Sequence, residues 1–565
     1  MKSGSLLAVF LLAKVAAVWG HAPLGPWTLA AYVWQDVLAA LVFRAIELAL
    51  PRLAPPLYWL LALYAAVNIP VGRAVATPLT WPMFRAAGGP MLDSFRLYVT
   101  AANVAWMLLI LALAAVLPRF LHLTPALALP ILVIGPIAAS RVDTHGLGRN
   151  VVAALLESAL PRVQARPAVA DWRRSRDPRP VEDLSRFSGA ARGRNIVMVA
   201  LESTAAQYLR LYGSRYDTMP RLDVLARHAL IFDNAYAVYP ESIKGLFSAL
   251  CSTYPAFDSR AEDYEHITRP AVPEVLAAAG YRTALFHSGR FAYLGMESVV
   301  RNRGFQTLED AGDIGGNHES SFGVDEPATV ARILAWLDSL PRGRPFFLAY
   351  LPIAGHHPYA TPGRGPFTGT ADINQYRNAL RYGDESLGAL AAGLRARGLE
   401  NDTVWVIYGD HGEAFGQHPG NYGHTFFVYE ENVHVPLVIA APGLLRDLTR
   451  VHKPVSLVDI APTILDLAGI APPPAYQGRT MLDSSFRMSL FFADYSMGIL
   501  GLRDGPWKFI YEIEPGRAKL FNLDHDPTES ANLAARDPAR ASWYRQVVRG
   551  WSGAQKTLLA SRGAH

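Results

Sequence analysis

The sequence predicts an N-terminal α-helical transmembrane bundle followed by an α/β domain with a mainly parallel central sheet. One observation is that the hydrophobic residues, 51% of the 565-residue chain, are in excess mainly at its front. The other is that short apolar and β-branched runs alternate with helical stretches from Asn195 onward. Such alternation is typical of a parallel sheet with helices on both of its faces.

The membrane unit is predicted over residues 1–142, with about five helices. A helix needs about 20 predominantly apolar residues to cross a bilayer. The candidate spans, three good ones followed by two weaker ones, are Leu97–Leu117, Leu121–Ala138, Pro56–Gly72, Ser5–Gly20 and Leu29–Leu48. The Ser5–Gly20 stretch is also compatible with a signal peptide. Lys and Arg are almost evenly divided between the two sides, so the positive-inside rule leaves the orientation open.

Charged side chains within the span Leu29–Leu48 need an explanation. Asp36, Arg44 and Glu47 are costly in a bilayer unless they pair or face a cavity. The spacing of Arg44 and Glu47 favours a pair within one helix. Holding a lipid head group is the functional alternative.

A connector is predicted over residues 143–192, between the membrane unit and the α/β domain. Val151–Leu160 has the pattern of a short amphipathic helix on the membrane surface. The basic, proline-containing run Trp172–Pro180 is typical of an exposed linker near anionic head groups.

The composition argues against two kinds of function. A net charge of +5 is small for this length, and no long Lys/Arg run has interleaved aromatic residues, so no nucleic-acid binding is expected. Cys251 is the single cysteine, so neither an internal disulfide nor a thiolate metal cluster can form.

The strands of the α/β domain locate the candidate functional residues. The predicted strands are Asn195–Leu201, Thr283–Phe286, Pro345–Leu351, Thr403–Tyr408 and Val435–Ala440. Helices are predicted at Ala328–Leu340 and Tyr376–Arg397. Ligands of parallel α/β sheets bind at the carboxyl ends of the strands, so the residues that follow each strand are the candidates.

A metal site is predicted where two of these strands end. Asp410 and His411 follow one strand and offer a carboxylate oxygen and an imidazole nitrogen to a divalent metal. Gly412 would let the chain turn sharply after them. Glu202 follows another strand; taken alone, it is as readily a helix cap or a surface carboxylate. Metal-binding groups at corresponding ends of two strands favour a shared ion.

Ser242 is the candidate nucleophile. It lies where a turn gives way to a helix of small residues. The N-terminus of a helix favours an anionic ligand. A plain N-cap serine is the alternative. With a metal in reach, the hydroxyl could ionise and attack a substrate.

Other polar residues follow strands as well. His356, His357 and His424 lie in loops at strand ends, which favours anion binding or acid–base chemistry. Arg290 follows a further strand and could clamp an oxyanion. Lys244 is either an additional anion contact or a solvated side chain.

Several motifs together give the α/β domain a family resemblance. They are the Glu202 strand, the Ser242 turn, His356-His-Pro-Tyr, Asp410-His-Gly-Glu, Tyr429-Glu-Glu-Asn-Val-His-Val-Pro-Leu-Val-Ile, Val455-Ser-Leu-Val-Asp-Ile-Ala-Pro-Thr-Ile-Leu-Asp-Leu-Ala-Gly and the tail from Leu520 to Leu533. With them, the chain from about Asn195 to Ala534 resembles the sulfatase branch of the alkaline phosphatase superfamily. The resemblance implies a sulfatase-like catalytic domain over residues 193–480. It also implies a small C-terminal α+β subdomain and tail over residues 481–565.

The chain departs from true sulfatases at two places. Lys244 stands where their formylglycine motif has Pro or Ala, and Leu246 stands where it has Arg. Glu202-Ser203 replaces their paired aspartates. A plain hydroxyl with a Glu, Asp and His ligand set is instead similar to lipoteichoic acid synthases and phosphoethanolamine transferases. Those enzymes also carry several N-terminal spans before an extracytoplasmic catalytic domain.

The resemblance implies a membrane-anchored enzyme that cleaves or transfers a phosphate-type ester. One divalent ion (Mn, Mg, Zn or Ca) would be held by Glu202, Ser242, Asp410 and His411. Ser242 would be the nucleophile, with His356 and His424 as further catalytic groups. The implied substrate-binding residues are Arg290, His287, His357 and Lys244.

The implied substrate is a phosphorylated lipid or glycan. The implied location is the cell (inner or plasma) membrane, with several spans and an extracytoplasmic catalytic domain. The sequence leaves open the oligomeric state and the choice between hydrolysis and transfer. Two other functions remain as alternatives: a sulfatase that hydrolyses sulfuric esters, and a non-catalytic membrane protein that binds an anionic glycan or lipid.

Overall fold

The computed structural model describes residues 2–19, 25–86, 98–167, 171–316 and 323–560. The front of the chain contains the helices α1 (Ser3–Val18), α2 (Thr28–Ala49), α3 (Ala54–Val75), α4 (Trp81–Ala86), α5 (Ala101–Val116) and α6 (Pro125–Arg141). Within the described residues, three helical segments are long and apolar enough to cross a bilayer: Thr28–Ala49, Ala54–Val75 and Ala101–Arg119. Helices α1 and α6 are shorter apolar helices. Each predicted span therefore coincides with a helix, although Gly20 and Leu97 lie outside the described residues.

The polar side chains of α2 bond to other parts of the membrane unit. Asp36 accepts a hydrogen bond from the Lys14 ammonium, which also donates to the carbonyl of Gly148 at 3.0 Å. Arg44 Nη1 donates to Leu123 O at 2.8 Å, and Glu47 Oε1 accepts from the backbone of the N-terminal segment. The expected pair of Arg44 with Glu47 is therefore wrong, because each side chain is used to join helices.

A nine-stranded mixed sheet forms the centre of the α/β domain. Its strands are β1 (Asn195–Leu201), β2 (Ala229–Tyr236), β3 (Arg282–His287), β4 (Thr307–Glu309), β5 (Phe346–Leu351), β6 (Thr403–Gly409), β9 (His434–Val435), β10 (Leu437–Ala440) and β11 (Thr449–Ser456), while β7 (Ala414–Phe415) and β8 (Tyr422–Gly423) form a separate pair. The order is β11-β2-β10-β6-β1-β5-β3-β4, with β9 beside β2. Strand β1 runs parallel to both neighbours, whereas β10 is antiparallel to β2 and β6. The predicted strand Val435–Ala440 is divided at Pro436, which lacks the N–H that a sheet requires.

Helices cover both faces of this sheet. Helix α7 (Val151–Ala159) is not one of them, because it packs against α3 and α4. The helices of the α/β domain are α8 (Pro220–Leu225), α9 (Ser242–Cys251), α10 (Val272–Ala278), α11 (Glu297–Val300), α12 (Ala311–Ile314), α13 (Glu326–Ser339), α14 (Asp372–Ala396), α15 (Glu430–Val433) and α16 (Ile460–Leu467), and the C-terminal helix is α17 (Pro538–Ala560). Alternate residues of β1 enter opposite cores: Ile196 and Met198 pack on one side, and Val197 and Val199 on the other. A strand buried on both faces needs an uninterrupted apolar run, which explains the sequence of β1.

The small C-terminal subdomain is confirmed as a four-stranded antiparallel sheet with one long helix, α17, against it. Its strands are β12 (Ser489–Ala493), β13 (Ile499–Asp504), β14 (Trp507–Glu512) and β15 (Arg517–Asn522). Asp143, two residues after α6, bonds to Arg517 Nη1 at 2.7 Å and to Lys519 Nζ at 2.6 Å. This ion-pair cluster joins the membrane unit to β15.

Candidate active site

The register of β1 against β6 positions the first two site residues. Leu201 pairs with Gly409 in this parallel register, so Glu202 and Asp410 leave the sheet at the same edge. The Asp410 N–H donates to Leu201 O at 3.2 Å. Gly412 is needed for space at this turn, because a Cβ there would lie 2.1 Å from Glu431 O, and its φ is not positive.

Glu202, Asp410 and His411 form a buried cluster with ligand atoms all within 4.8 Å of one another. His411 Nε2 lies 3.6 Å from a carboxylate oxygen of Glu202 and 3.6 Å from one of Asp410. His411 Nδ1 lies 3.0 Å from Gly412 O, a contact that requires the proton on Nδ1. Nε2 therefore turns its lone pair toward the two carboxylates, which is the arrangement of a metal-binding imidazole.

Ser242 is the first residue of α9 and lies beside this cluster. Its Oγ donates to Glu202 Oε2 at 2.9 Å and lies 3.3 Å from His411 Nε2. The helix is capped by Glu241, whose carboxylate accepts from the N–H groups of Ile243 and Lys244 at 3.1 and 3.4 Å. The N-cap interpretation of Ser242 is therefore wrong, and its hydroxyl faces the site instead.

The electrostatics of the cluster suit a cation. Burial and, to a smaller extent, the neighbouring Glu202 carboxylate together raise the pKa of Asp410 to about 6. Asp410 Oδ1 accepts from the N–H groups of Ser203 and His411 at 2.9 and 2.7 Å, which leaves Oδ2 for a ligand. Two carboxylates crowded at one buried site are relieved by a divalent ion. Oxygen and imidazole donors together are compatible with Mn, Mg, Zn or Ca.

His424 and His356 adjoin the cluster with opposite charge preferences. Burial by itself would lower the pKa of His424, but the Glu413 carboxylate at 2.7 Å from its Nδ1 raises that pKa to about 9. The Tyr359 hydroxyl donates to the other Glu413 oxygen at 2.5 Å. The His424 ring centroid is 4.3 Å from that of His411 and 6.2 Å from that of His356. Burial lowers the pKa of His356 to about 4, so this ring is neutral at pH 7.

The predicted substrate-binding residues differ in their burial and in the groups that they contact. His287 is buried, lies within electrostatic range of Asp410 and bonds through Nδ1 to Leu351 O at 3.0 Å. Arg290 is half-buried beside Gly312. Lys244 is buried, which rules out the solvated alternative. Its Nζ lies 3.5 Å from Asp494 Oδ1 and 4.3 Å from the centre of the Tyr239 ring. Their roles toward a substrate stay predictions.

Sequence reasoning missed three residues that support the site. Glu413 and Tyr359 hold His424, and Glu241 takes the capping role from Ser242. A signal for Glu413 was available, because this carboxylate stands in the same Asp-His-Gly-Glu segment as the metal ligands.

Comparison with known proteins agrees with this geometry. Residues 194–470 match the sulfatase family model, within which all four predicted ligands lie. The chain contains a sulfatase-family domain. Residues 420–547 also match the model "N-sulphoglucosamine sulphohydrolase, C-terminal". Enzymes of the superfamily use a divalent metal, and the buried acid–histidine cluster is the corresponding feature here.

The relatives of this chain are of two kinds. Arylsulfatase K of Mus musculus is 25% identical over 434 residues, which cover 61% of this chain and 76% of the relative. Lipoteichoic acid synthase 2 of Bacillus subtilis is 25% identical over 308 residues, covering 50% of this chain but only 46% of the relative. The crystal structure of the lipoteichoic acid synthase LtaP from Listeria monocytogenes shares the fold, with a TM-score of 0.54 and 19% identity over 67% of this chain and 96% of that one. The protein is thus an enzyme of the hydrolase or transferase type, related to both groups.

Proposed function

We propose that the protein is a membrane-anchored, metal-dependent enzyme that cleaves or transfers a phosphate-type ester with Ser242 as its nucleophile. The observation that carries the proposal is the position of Ser242 Oγ, 2.9 Å from Glu202 Oε2 and 3.3 Å from His411 Nε2. Because Glu241 caps α9, this hydroxyl is committed to the site and not to the helix.

Each residue of the site has its own role in the proposed reaction. Ser242 Oγ attacks phosphorus, the Oγ–P bond forms, and the bond from phosphorus to the leaving oxygen breaks. A divalent ion held by Glu202, Ser242, Asp410 and His411 would, when bound, lower the hydroxyl pKa and stabilise negative charge. His424, cationic beside Glu413, donates a proton or a hydrogen bond to the leaving oxygen. Water or an acceptor hydroxyl then breaks the Oγ–P bond and takes the phosphoryl group away.

The remaining predicted residues would bind the substrate. A phosphoryl group presents three equatorial oxygens, and His357, Arg290 and Lys244 supply donors for them in the proposal. His356 and His287 each donate from Nδ1 to a backbone carbonyl, so their Nε2 atoms can donate to the substrate only when the ring is protonated. The substrate is a phosphorylated lipid or glycan, and the catalytic domain faces the extracytoplasmic side of a multi-pass membrane protein.

Phosphate chemistry is favoured over sulfate chemistry by the residues around Ser242. Lys244 and Leu246 occupy the positions at which the sulfatase motif directs formylglycine formation, so Ser242 stays a serine. A serine forms a stable ester with phosphorus that a second nucleophile can open, which suits transfer as well as hydrolysis.

The test is a substrate panel with the full-length protein. An aryl phosphate, an aryl phosphodiester and an aryl sulfate are assayed with each of the four candidate metals. We expect turnover of a phosphate ester that Ser242→Ala abolishes while the melting temperature stays near that of the parent. Full activity in Ser242→Ala removes this residue as the nucleophile.

A sulfatase is the second candidate, because the C-terminal region matches a sulphohydrolase model and arylsulfatase K aligns over most of its length. Mass spectrometry of the peptide that contains Ser242 separates the two functions. Loss of two hydrogen atoms at this residue, together with turnover of the aryl sulfate alone, would establish the sulfatase. An unmodified serine with phosphate turnover supports the proposal.

A further inference from the structure

Residues 76–86 and 98–100 are the described part of the connection between α3 and α5 (the α3–α5 segment), and they reach the candidate active site. The ring of Tyr98 stacks on that of His357, with centroids 6.4 Å apart and planes 9° from parallel. The Tyr98 carbonyl accepts from Asn103 Nδ2 at 2.9 Å, and Asn103 Oδ1 accepts from Arg73 Nη1 at 3.3 Å. Tyr98 is therefore fixed to the ends of two apolar helices while its ring lies against the catalytic domain.

A short series of contacts links Tyr98 to His424, one of the predicted catalytic residues. The His357 ring meets Tyr359 edge-on at 5.3 Å, and Tyr359 donates to Glu413, the partner of His424. Burial raises the pKa of Tyr98, and the nearby carboxylates of Asp372 and Glu413 raise it further. The phenol is thus a neutral hydrogen-bond donor at the margin of the site.

The same segment also contacts the loop that follows β12. The hydroxyls of Thr77 and Thr80 bond to Ser496 and to the carbonyl of Tyr495, in the loop that follows β12. Asp494 in this loop pairs with Lys244, on the helix that begins with Ser242. Contacts from the α3–α5 segment therefore reach both the histidine side and the serine side of the site.

We propose that the α3–α5 segment is the membrane-facing wall of the active site and that Tyr98 positions the head group of a phosphate ester carried by a lipid of the same bilayer. A head group between Tyr98 and Ser242 would keep its acyl chains beside α5. Trp106, Leu108 and Leu109 of that helix are exposed, as the side chains of a helix that faces acyl chains would be. The inference rests on the proposed function, and it makes Tyr98 a positioning residue and not a catalytic one.

The experiment compares two substrates with the full-length protein in vesicles of phosphatidylglycerol and phosphatidylethanolamine. Turnover of the vesicle lipid is measured beside that of soluble bis(p-nitrophenyl) phosphate. Tyr98→Ala should raise the KM for the vesicle lipid by about 3- to 10-fold, the range of one aromatic contact. The effect on kcat should be smaller, and the ratio of lipid to soluble turnover should fall. Tyr98→Trp, which keeps an aromatic face with a donor, should recover much of that ratio.

Trp59→Ala is the matched control, because it removes an exposed aromatic ring near the start of α3, about 20 Å along that helix from Arg73, and it should leave both activities at the parental level. An equal loss on both substrates in Tyr98→Ala would mean a general structural role and would overturn the proposal. Parental kinetics in Tyr98→Ala would overturn it as well, as would a parent that turns over the soluble ester but no vesicle lipid. A parent inactive on every phosphate ester would instead refute the proposed function.

Discussion

The Gly412→Ala substitution tests whether close packing of the backbone sets the position of His411. A Cβ at residue 412 would stand 2.1 Å from Glu431 O and 2.9 Å from Ala205 Cβ. Ordinary contacts begin near 3.4 Å, so the 410–412 loop or the facing helix α15 must move by about 1 Å. A displacement of that size near a reacting centre costs about 100-fold in rate. We expect kcat/KM to fall by about that factor and metal affinity to fall with it.

The control for this substitution is Gly550→Ala, in the C-terminal helix α17. No neighbouring heavy atom lies within 4 Å of a Cβ built there, and its backbone is not left-handed. Alanine at an open helical position should be neutral or stabilising by up to about 1 kcal/mol. Activity is measured with the phosphate ester that the parent turns over, metal affinity by titration, and stability by thermal melting. Parental activity and metal affinity in Gly412→Ala would refute the reasoning, because the loop would then have accommodated the methyl group without moving His411.

Two further predictions concern the metal and the pH dependence of stability. Dialysis against a chelator should abolish turnover and lower the melting temperature, and a divalent metal should restore both. In Asp410→Asn, the metal should no longer raise the melting temperature. A parent that keeps full activity without metal would contradict this prediction. Burial raises the pKa of Asp384 to about 7, although its carboxylate accepts from Arg221 N and Leu222 N at 2.8 and 2.9 Å. Because the folded state favours the protonated form of Asp384, the contribution of this carboxyl to the free energy of unfolding is complete below about pH 4. It is lost as the pH rises through 7. The parent should therefore lose stability relative to Asp384→Asn between pH 4 and pH 8, by at most about 4 kcal/mol. A difference that does not vary with pH would show that the carboxylate is ionised throughout.

Much of the catalytic domain could be predicted from the sequence because its strands are buried on both faces. The apolar run of β1 needs no knowledge of its neighbours to be recognised, and β1 has the predicted bounds of Asn195–Leu201. Glu202 and Asp410 were found in the same way, as polar residues directly after such runs. The capping of α9 was not predictable to the same degree, since both Glu241 and Ser242 are acceptable caps by residue type.

The sequence by itself determined the order of the membrane unit and the α/β domain, and it indicated the residues available for a metal. Hydrophobic periodicity and the length of an apolar run are local properties of the sequence, so they can be recognised without knowledge of the fold. The tertiary structure decided which groups meet. Lys244 pairs with Asp494 instead of facing solvent, and Tyr98 of the membrane unit lies against His357. These contacts join residues 250 and more positions apart, and neither partner carries a local pattern that specifies the other. Only the packing of the folded chain brings such side chains together.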